Sequence, residues 1–255
     1  MNDDINTRNR MFYELPETVE EYAHETQLWP EERYIFEHYD RHIRDQHVLD
    51  LGCGGGRTTR ALLERTSRYT GLDYSLKMIE VCRRKWSSGT FVHGDAANMP
   101  MFADASFSFV LFSFNGIDSM THEKRLAVLH EVYRVLKPGG AFAFSSHNRD
   151  DRSIVTAWNI RDRSLRNNLR NLRSYLRVRH LQVKTRTYAI LSDPLAGFGY
   201  LTYYIRKKDQ VEQLKQVGFT DISILNQGCE VVPPETRDRW NKWFHYVAHK
   251  PHEPA

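Results

Sequence analysis

The chain has 255 residues, 40% of them apolar and 27% charged, with a formal net charge of +4. That apolar share is enough for a sizeable core, and the length holds one soluble α/β domain with an elaboration. There is no apolar run of membrane-spanning length, no apolar signal-peptide core, and only three scattered cysteines, Cys53, Cys82 and Cys229, which exclude a disulfide framework or metal site and point to a cytoplasmic compartment.

Residues 1–40 interleave Tyr13, Tyr22, Trp29, Tyr34, Phe36 and Tyr39 with glutamates, and helical periodicity runs from Glu17 onward. The next stretch, His47 to Asp73, is the most informative. Apolar Val48, Leu49 and Leu51 read as a strand, Gly52, Gly54, Gly55 and Gly56 as a turn, and a helix and a second strand, Tyr69 to Asp73, follow. This is a nucleotide-cradling βαβ unit. A dinucleotide fingerprint counted from Gly52 requires Gly or Ala at position 57, where Arg57 stands. The glycines instead follow Asp50 at every second position, Gly52, Gly54 and Gly56. That loop suits a ligand carrying an amino acid. A helix N-terminus offers N–H groups to its carboxylate, and Asp50 attracts its ammonium. S-adenosylmethionine carries both groups. Asp73 is placed to accept from the ribose hydroxyls. A third strand, Phe91 to Asp95, puts Asp95 at the adenine amino group and the Ala96 N–H at a ring nitrogen.

Helical spacing follows Gly56 (Leu62, Leu63) and Ser75 (Met78, Ile79, Cys82), and recurs from Leu126 to Leu136, where Pro138, Gly139 and Gly140 are expected to stop the helix. Ala141 to Ser146 reads as a fifth strand buried on both faces. Ligands of open α/β sheets bind outside the carboxyl ends of the strands. Asn115, Gly116 and Asp118 after the fourth strand, and His147 and Asn148 after the fifth, are therefore the substrate-facing candidates. His147 is the leading general-base candidate and Asp118 the second.

Between Asp162 and Asp193 no acidic residue interrupts the chain. Residues 163 to 177 read as an amphipathic helix, with Leu165, Leu169, Leu172 and Leu176 on one face and Arg163, Arg166, Arg170, Arg173 and Arg177 on an adjacent one. This stripe has four readings: a solvated face whose leucines cap the crevice, a site for an anionic substrate, an RNA contact, or a peripheral membrane contact. No separate RNA-binding module is present. Gly199 to Ile205 reads as a strand, with Tyr200, Tyr203 and Tyr204 as substrate-cavity candidates. A helix at Lys207 to Gly218 and strands at Asp221 to Leu225 and Trp243 to Ala248 complete the chain before a disordered tail, 251–255.

Val48-Leu-Asp-Leu-Gly-Cys-Gly-Gly-Gly56, Gly71-Leu-Asp-Tyr-Ser75, Gly94 to Pro100, Phe107 to Phe114 and Leu136-Lys-Pro-Gly-Gly-Ala-Phe142 together resemble a class I S-adenosylmethionine-dependent methyltransferase. The resemblance covers residues 40 to 148 with high specificity and Tyr200 to His249 more weakly. Ser108 departs from it, since an Asp often stands there. It implies that Gly52 and Gly54 contact the methionine part, Asp73 the ribose with Tyr74 beside it, and Asp95 and Ala96 the adenine, with Phe112 lining the pocket.

The implied fold is a three-layer Rossmann-like α/β domain with a seven-stranded, mostly parallel sheet and an antiparallel last strand. Its expected parts are an N-terminal helical segment (1–40) acting as a lid or as packing, a cofactor core (41–148), a helical basic insertion between strands five and six (149–200), and a C-terminal completion (201–250). The implied reaction is methyl transfer to an O or N atom of a small molecule, yielding S-adenosylhomocysteine. A methyltransferase acting on RNA or protein is the alternative, followed by an NAD-linked oxidoreductase and a non-catalytic nucleotide-binding protein.

Overall fold

The computed structural model describes residues 5–152, 165–192 and 200–252. Arg163, Gly199, the first four residues and the last three lie outside the described residues, as do parts of the expected insertion.

Four helices lead in: α1 (Ile5–Tyr13), α2 (Pro16–His24), α3 (Pro30–His38) and α4 (Asp40–Ile43). Prolines open α2 and α3, where a missing N–H costs nothing. The core follows as β1 (Val48–Leu51), α5 (Thr59–Leu63), β2 (Tyr69–Asp73), α6 (Leu76–Lys85), β3 (Thr90–His93), β4 (Phe107–Phe112), α7 (His122–Val135) and β5 (Leu136–Asn148). Ser75 and Thr121 cap α6 and α7 by accepting the N–H of Met78 and Lys124. The described part of the insertion holds α8 (Leu165–Val178), β6 (Val183–Lys184) and β7 (Tyr188–Ser192), followed by β8 (Leu201–Ile205). The chain then runs through α9 (Lys207–Val217), β9 (Thr220–Leu225) and β10 (Trp243–His249).

The sheet is mixed and among the described residues has ten strands, where seven were expected. β3, β2, β1, β4 and β5 are parallel neighbours in that order. Beyond them β10 pairs antiparallel with β5, and β9 antiparallel with β10. The surplus arises because β5 is 13 residues long and β4 only six. Phe142, Ala143 and Phe144 pair with β4 on one edge and β10 on the other. Past the end of β4 the first edge is free, and there His147 and Asn148 pair in parallel with Tyr204 and Ile205 of β8. β7 and β6 extend β8 as antiparallel strands. The described part of the insertion thus holds a helix and two strands, which with β8 form a three-stranded extension, and is not helical throughout.

A second correction concerns Pro138, Gly139 and Gly140, which lie inside β5 and not at the end of α7. The helix ends earlier, where Leu136 turns extended, and the register with β4 slips between Phe107 and Phe109 to accommodate the extra residues.

Side chains alternate across β1, so that Leu49 and Leu51 join one core layer and Val48 the other. The first layer is covered by Val128, Leu129 and Val132 of α7 and Val211 and Leu214 of α9. The second is covered by Ile35 and Phe36 of α3, Ile43 of α4, Leu62 of α5 and Ile79 of α6. The N-terminal segment therefore supplies core, and α3 is integral to it. Replacing the fully buried Phe36 by Ala is expected to cost about 3–5 kcal/mol. Urea unfolding checks this: one cooperative transition moves to lower denaturant, whereas an unchanged midpoint would mean that α3 detaches separately from the core.

Candidate active site

Gly52, Gly54 and Gly56 all have positive φ, which explains their placement at every second position. Gly52 also lies against Phe112, whose ring carbon is 2.7 Å from where a Cβ would stand. Gly55 lies against backbone, since its Cβ would fall 2.2 Å from the Tyr22 carbonyl oxygen. The loop is thus packed between the end of β4 and the N-terminal helices.

Arg57 makes that packing specific. Its guanidinium forks onto Glu32 of α3 at 2.6 and 2.5 Å and donates to Ser113 Oγ at 2.9 Å and the Gln27 carbonyl at 3.1 Å. Glu32 also accepts the Trp29 N–H at 2.8 Å and the Ser113 hydroxyl. Burial pushes the Glu32 carboxyl up, but the hydrogen bonds and charge of Arg57 outweigh it and hold the pKa below the ordinary carboxylate value. The residue that breaks the dinucleotide fingerprint joins three distant segments.

Three cavities of about 390, 100 and 50 Å³ share Gly52 as a lining residue. The largest lies over the ends of β2 and β3, against Leu72, Tyr74, Asp95, Ala96 and Phe112. The second lies along the loop, against Asp50, Gly54, Arg57 and Phe114. The third is bounded by Tyr13, Tyr22, Asp73 and Tyr74. A wide compartment and a narrow one that meet at the same glycine fit a nucleoside bearing an amino-acid chain. S-adenosylmethionine has that shape.

Asp73 is buried and accepts the N–H groups of Gly54 at 2.9 Å and Ser75 at 2.8 Å. Burial raises its pKa to about 6, against the lowering effect of those two bonds. Asp50 is turned beneath the loop, accepting from Thr58 Oγ1 at 2.5 Å and the Tyr69 hydroxyl at 3.0 Å, and burial pushes it to about 7. Asp95 is partly exposed and pairs with Lys124 at 2.7 Å. Cys53 is no nucleophile: its hydrogen bond with the Cys82 thiol and its burial hold it protonated well above the ordinary thiol range.

The two catalytic candidates meet. Asp118 Oδ2 accepts from His147 Nδ1 at 2.8 Å and from the His147 backbone N–H at 2.6 Å. Its other oxygen accepts from Ser146 Oγ at 2.8 Å and from the fully buried Arg125, which also donates to Gln210 at 2.5 Å. Asn115 Nδ2 lies 3.4 Å from His147 Nε2. Tyr200 is buried, with its hydroxyl 3.1 Å from that of Tyr13. Tyr203 is not brought to a described cavity. It is fully buried beneath Arg125, 4.6 Å from the guanidinium carbon, and stacks on Tyr188.

Arg125, Glu32 and Ser113 went unnoticed in the sequence. A lone Arg on an otherwise apolar face of α7 is the one available signal for the first.

Comparison with known proteins places this geometry. The sequence model of a family described as a methyltransferase domain matches residues 48–140. The demethylmenaquinone methyltransferase of Paenarthrobacter aurescens is 31% identical over 192 residues, covering 73% of this chain and 67% of that one. The fatty-acid O-methyltransferase of Mycolicibacterium smegmatis is 38% identical over 107 residues, 40% of this chain and only 38% of the relative's length. In fold, the chain superposes on the CcbJ methyltransferase of Streptomyces caelestis with a TM-score of 0.64, at 14% identity and 95% and 99% coverage. The 1,6-didemethyltoxoflavin-N1-methyltransferase of Burkholderia thailandensis, solved with S-adenosylhomocysteine, gives 0.59 at 15% identity and 96% and 88% coverage. Because the similarity in sequence runs through the glycine loop and both strand-end aspartates, and extends in one relative over two thirds of its length, the chain belongs to the class I S-adenosylmethionine-dependent methyltransferases.

Proposed function

We propose that the protein methylates a hydroxyl oxygen of a small molecule, with a nitrogen as the second acceptor atom. One observation carries this reading: the Asp118 carboxylate holds the His147 Nδ1 proton, which leaves Nε2 as the proton-accepting nitrogen, past the end of β4 and on the last residues of β5. Such an imidazole takes the proton of an attacking hydroxyl. At 3.4 Å the Asn115 contact to Nε2 is long, and an acceptor hydroxyl can take its place. One relative is named for an oxygen acceptor, a fatty acid, and supports this choice.

In the same reading Gly52 and Gly54 hold the methionine part, with Asp50 below them. An ammonium beside Asp50 favours its ionised form and draws its pKa back down from about 7. Asp73 takes the ribose, Asp95 and Ala96 the adenine, and Tyr74 and Phe112 close the pocket walls. The bound cofactor supplies a methyl group already activated by its positive sulfur. The protein adds alignment, exclusion of water and removal of a proton. Tyr13, Tyr22 and Tyr74, desolvated and held neutral, wall off the compartment next to Asp73.

Two outcomes are expected. A His147→Ala variant loses roughly 10²–10⁴ in kcat toward a hydroxyl acceptor, while its affinity for S-adenosylhomocysteine stays unchanged. Labelled-methyl transfer into fractionated small-molecule extract finds the acceptor and then measures this, and full kcat at every pH would remove the base. For the cofactor site, calorimetry is expected to detect S-adenosylhomocysteine but not NAD. Its affinity is level above the Asp50 pKa of about 7 and falls below it, first as Asp50 loses the charge that attracts the ammonium and then, through the Asp73 pKa of about 6, as the protonated acid loses an acceptor for the ribose hydroxyls. Asp73→Asn binds weakly at all pH and lacks the second of these falls; wild-type affinity in this variant would mean that the ribose lies elsewhere.

A further inference from the structure

Among the described residues, helix α8 has an unpartnered face. Leu169, Leu172 and Leu176 are 57%, 43% and 47% exposed. At 100° per residue they share about 60° of the helix circumference. Val178, on the far side of the helix, is fully buried and joins Ile190, Leu201, Tyr203 and Ile205 in a separate apolar cluster. The helix is thus fastened to the β6–β8 extension through Val178, its last residue, and leaves these leucines exposed. They do not cap the crevice. Beside them Arg166, Arg170, Arg173 and Arg177 are all exposed, and no ion pair is found for any of them among the described residues.

The charge is segregated as well. Residues 163–192 hold eight Lys and Arg and no Asp or Glu, a net +8, so the rest of a chain of net +4 carries −4. We infer that α8 docks the enzyme on the surface of an anionic phospholipid bilayer. The leucines enter the boundary between headgroups and acyl chains, and the arginines pair with lipid phosphates. Of the partners such a face can take, this one uses both halves of it. RNA phosphates satisfy the arginines and leave the leucines in water. A second copy of the chain covers the leucines and sets arginine against arginine. A bilayer buries one set and neutralises the other. The docking helix sits on the extension whose β8 pairs with His147, so attachment and the candidate base belong to one continuous sheet. The inference stands apart from the identity of the methyl acceptor.

The test is flotation of the full chain with phosphatidylcholine vesicles and with phosphatidylcholine–phosphatidylglycerol vesicles. Binding is expected to the second only. Neutralising arginines one at a time in the series R166Q, R170Q, R173Q and R177Q lowers the partition coefficient by roughly fivefold per charge. The triple variant L169S/L172S/L176S loses more than about tenfold with all charges kept. S-adenosylhomocysteine affinity, unchanged in every variant, shows that the fold and the cofactor site survive. Hydrogen exchange on the unaltered protein provides a measurement free of mutation: amides of 165–178 slow on the anionic vesicles. Absence of vesicle binding, wild-type partitioning by the leucine variant, unslowed α8 amides, or displacement from vesicles by tRNA would each overturn the inference.

Discussion

The arrangement of the active site depends on one buried ion pair. Arg57, just after the glycine loop, forks onto Glu32 of α3, and Ser113 at the end of β4 joins the same carboxylate. Burying two charges costs desolvation that their attraction only just recovers, so such a pair adds little net stability. What it contributes is position. Each partner would be stranded if the other moved, so the N-terminal helices, the loop and the β4 end hold one mutual placement, and Tyr22 closes over Gly55 to leave no room for a side chain.

The buried carboxylates are held in contrasting ways. Asp118 faces a full guanidinium and three further donors, whereas Asp73 and Asp50 have only neutral donors and are pushed toward neutrality by burial. A carboxylate with a fixed counter-ion orients an imidazole. One that is desolvated and lacks a cation is responsive to a ligand bearing hydroxyls or an ammonium. Two electrostatic environments thus stand near the strand ends, although the residue type is the same.

The extension built on β5 shows how a cofactor-binding core acquires a second surface. A strand that outruns its neighbour leaves N–H and C=O groups free for water or for another strand to take up. β8 takes that place, carrying β7, β6 and α8 with it. The fold tolerates this addition because it lies past the ends of the cofactor-binding strands. Its own apolar cluster, built on Ile190, Leu201 and Tyr203, is separate from the two layers of the main core.

Local rules made the cofactor half legible in the sequence. Alternating glycines report positive φ, a terminal Asp after an apolar strand reports a polar group at the sheet edge, and the 3.6-residue spacing of the helices reports their buried faces; all three are properties of short segments. The acceptor half was legible only as two separate names, Asp118 and His147. Their union required β5 to run past β4 and Arg125, on another helix, to stand behind them. The same holds for Arg57, which from spacing alone was only an exclusion, and for Tyr203, which the extension buried rather than exposed. The exposed leucines of α8 complete the contrast: periodicity determined that they share a face, but whether that face is covered is decided by where the helix is fastened, and that is a property of the folded chain.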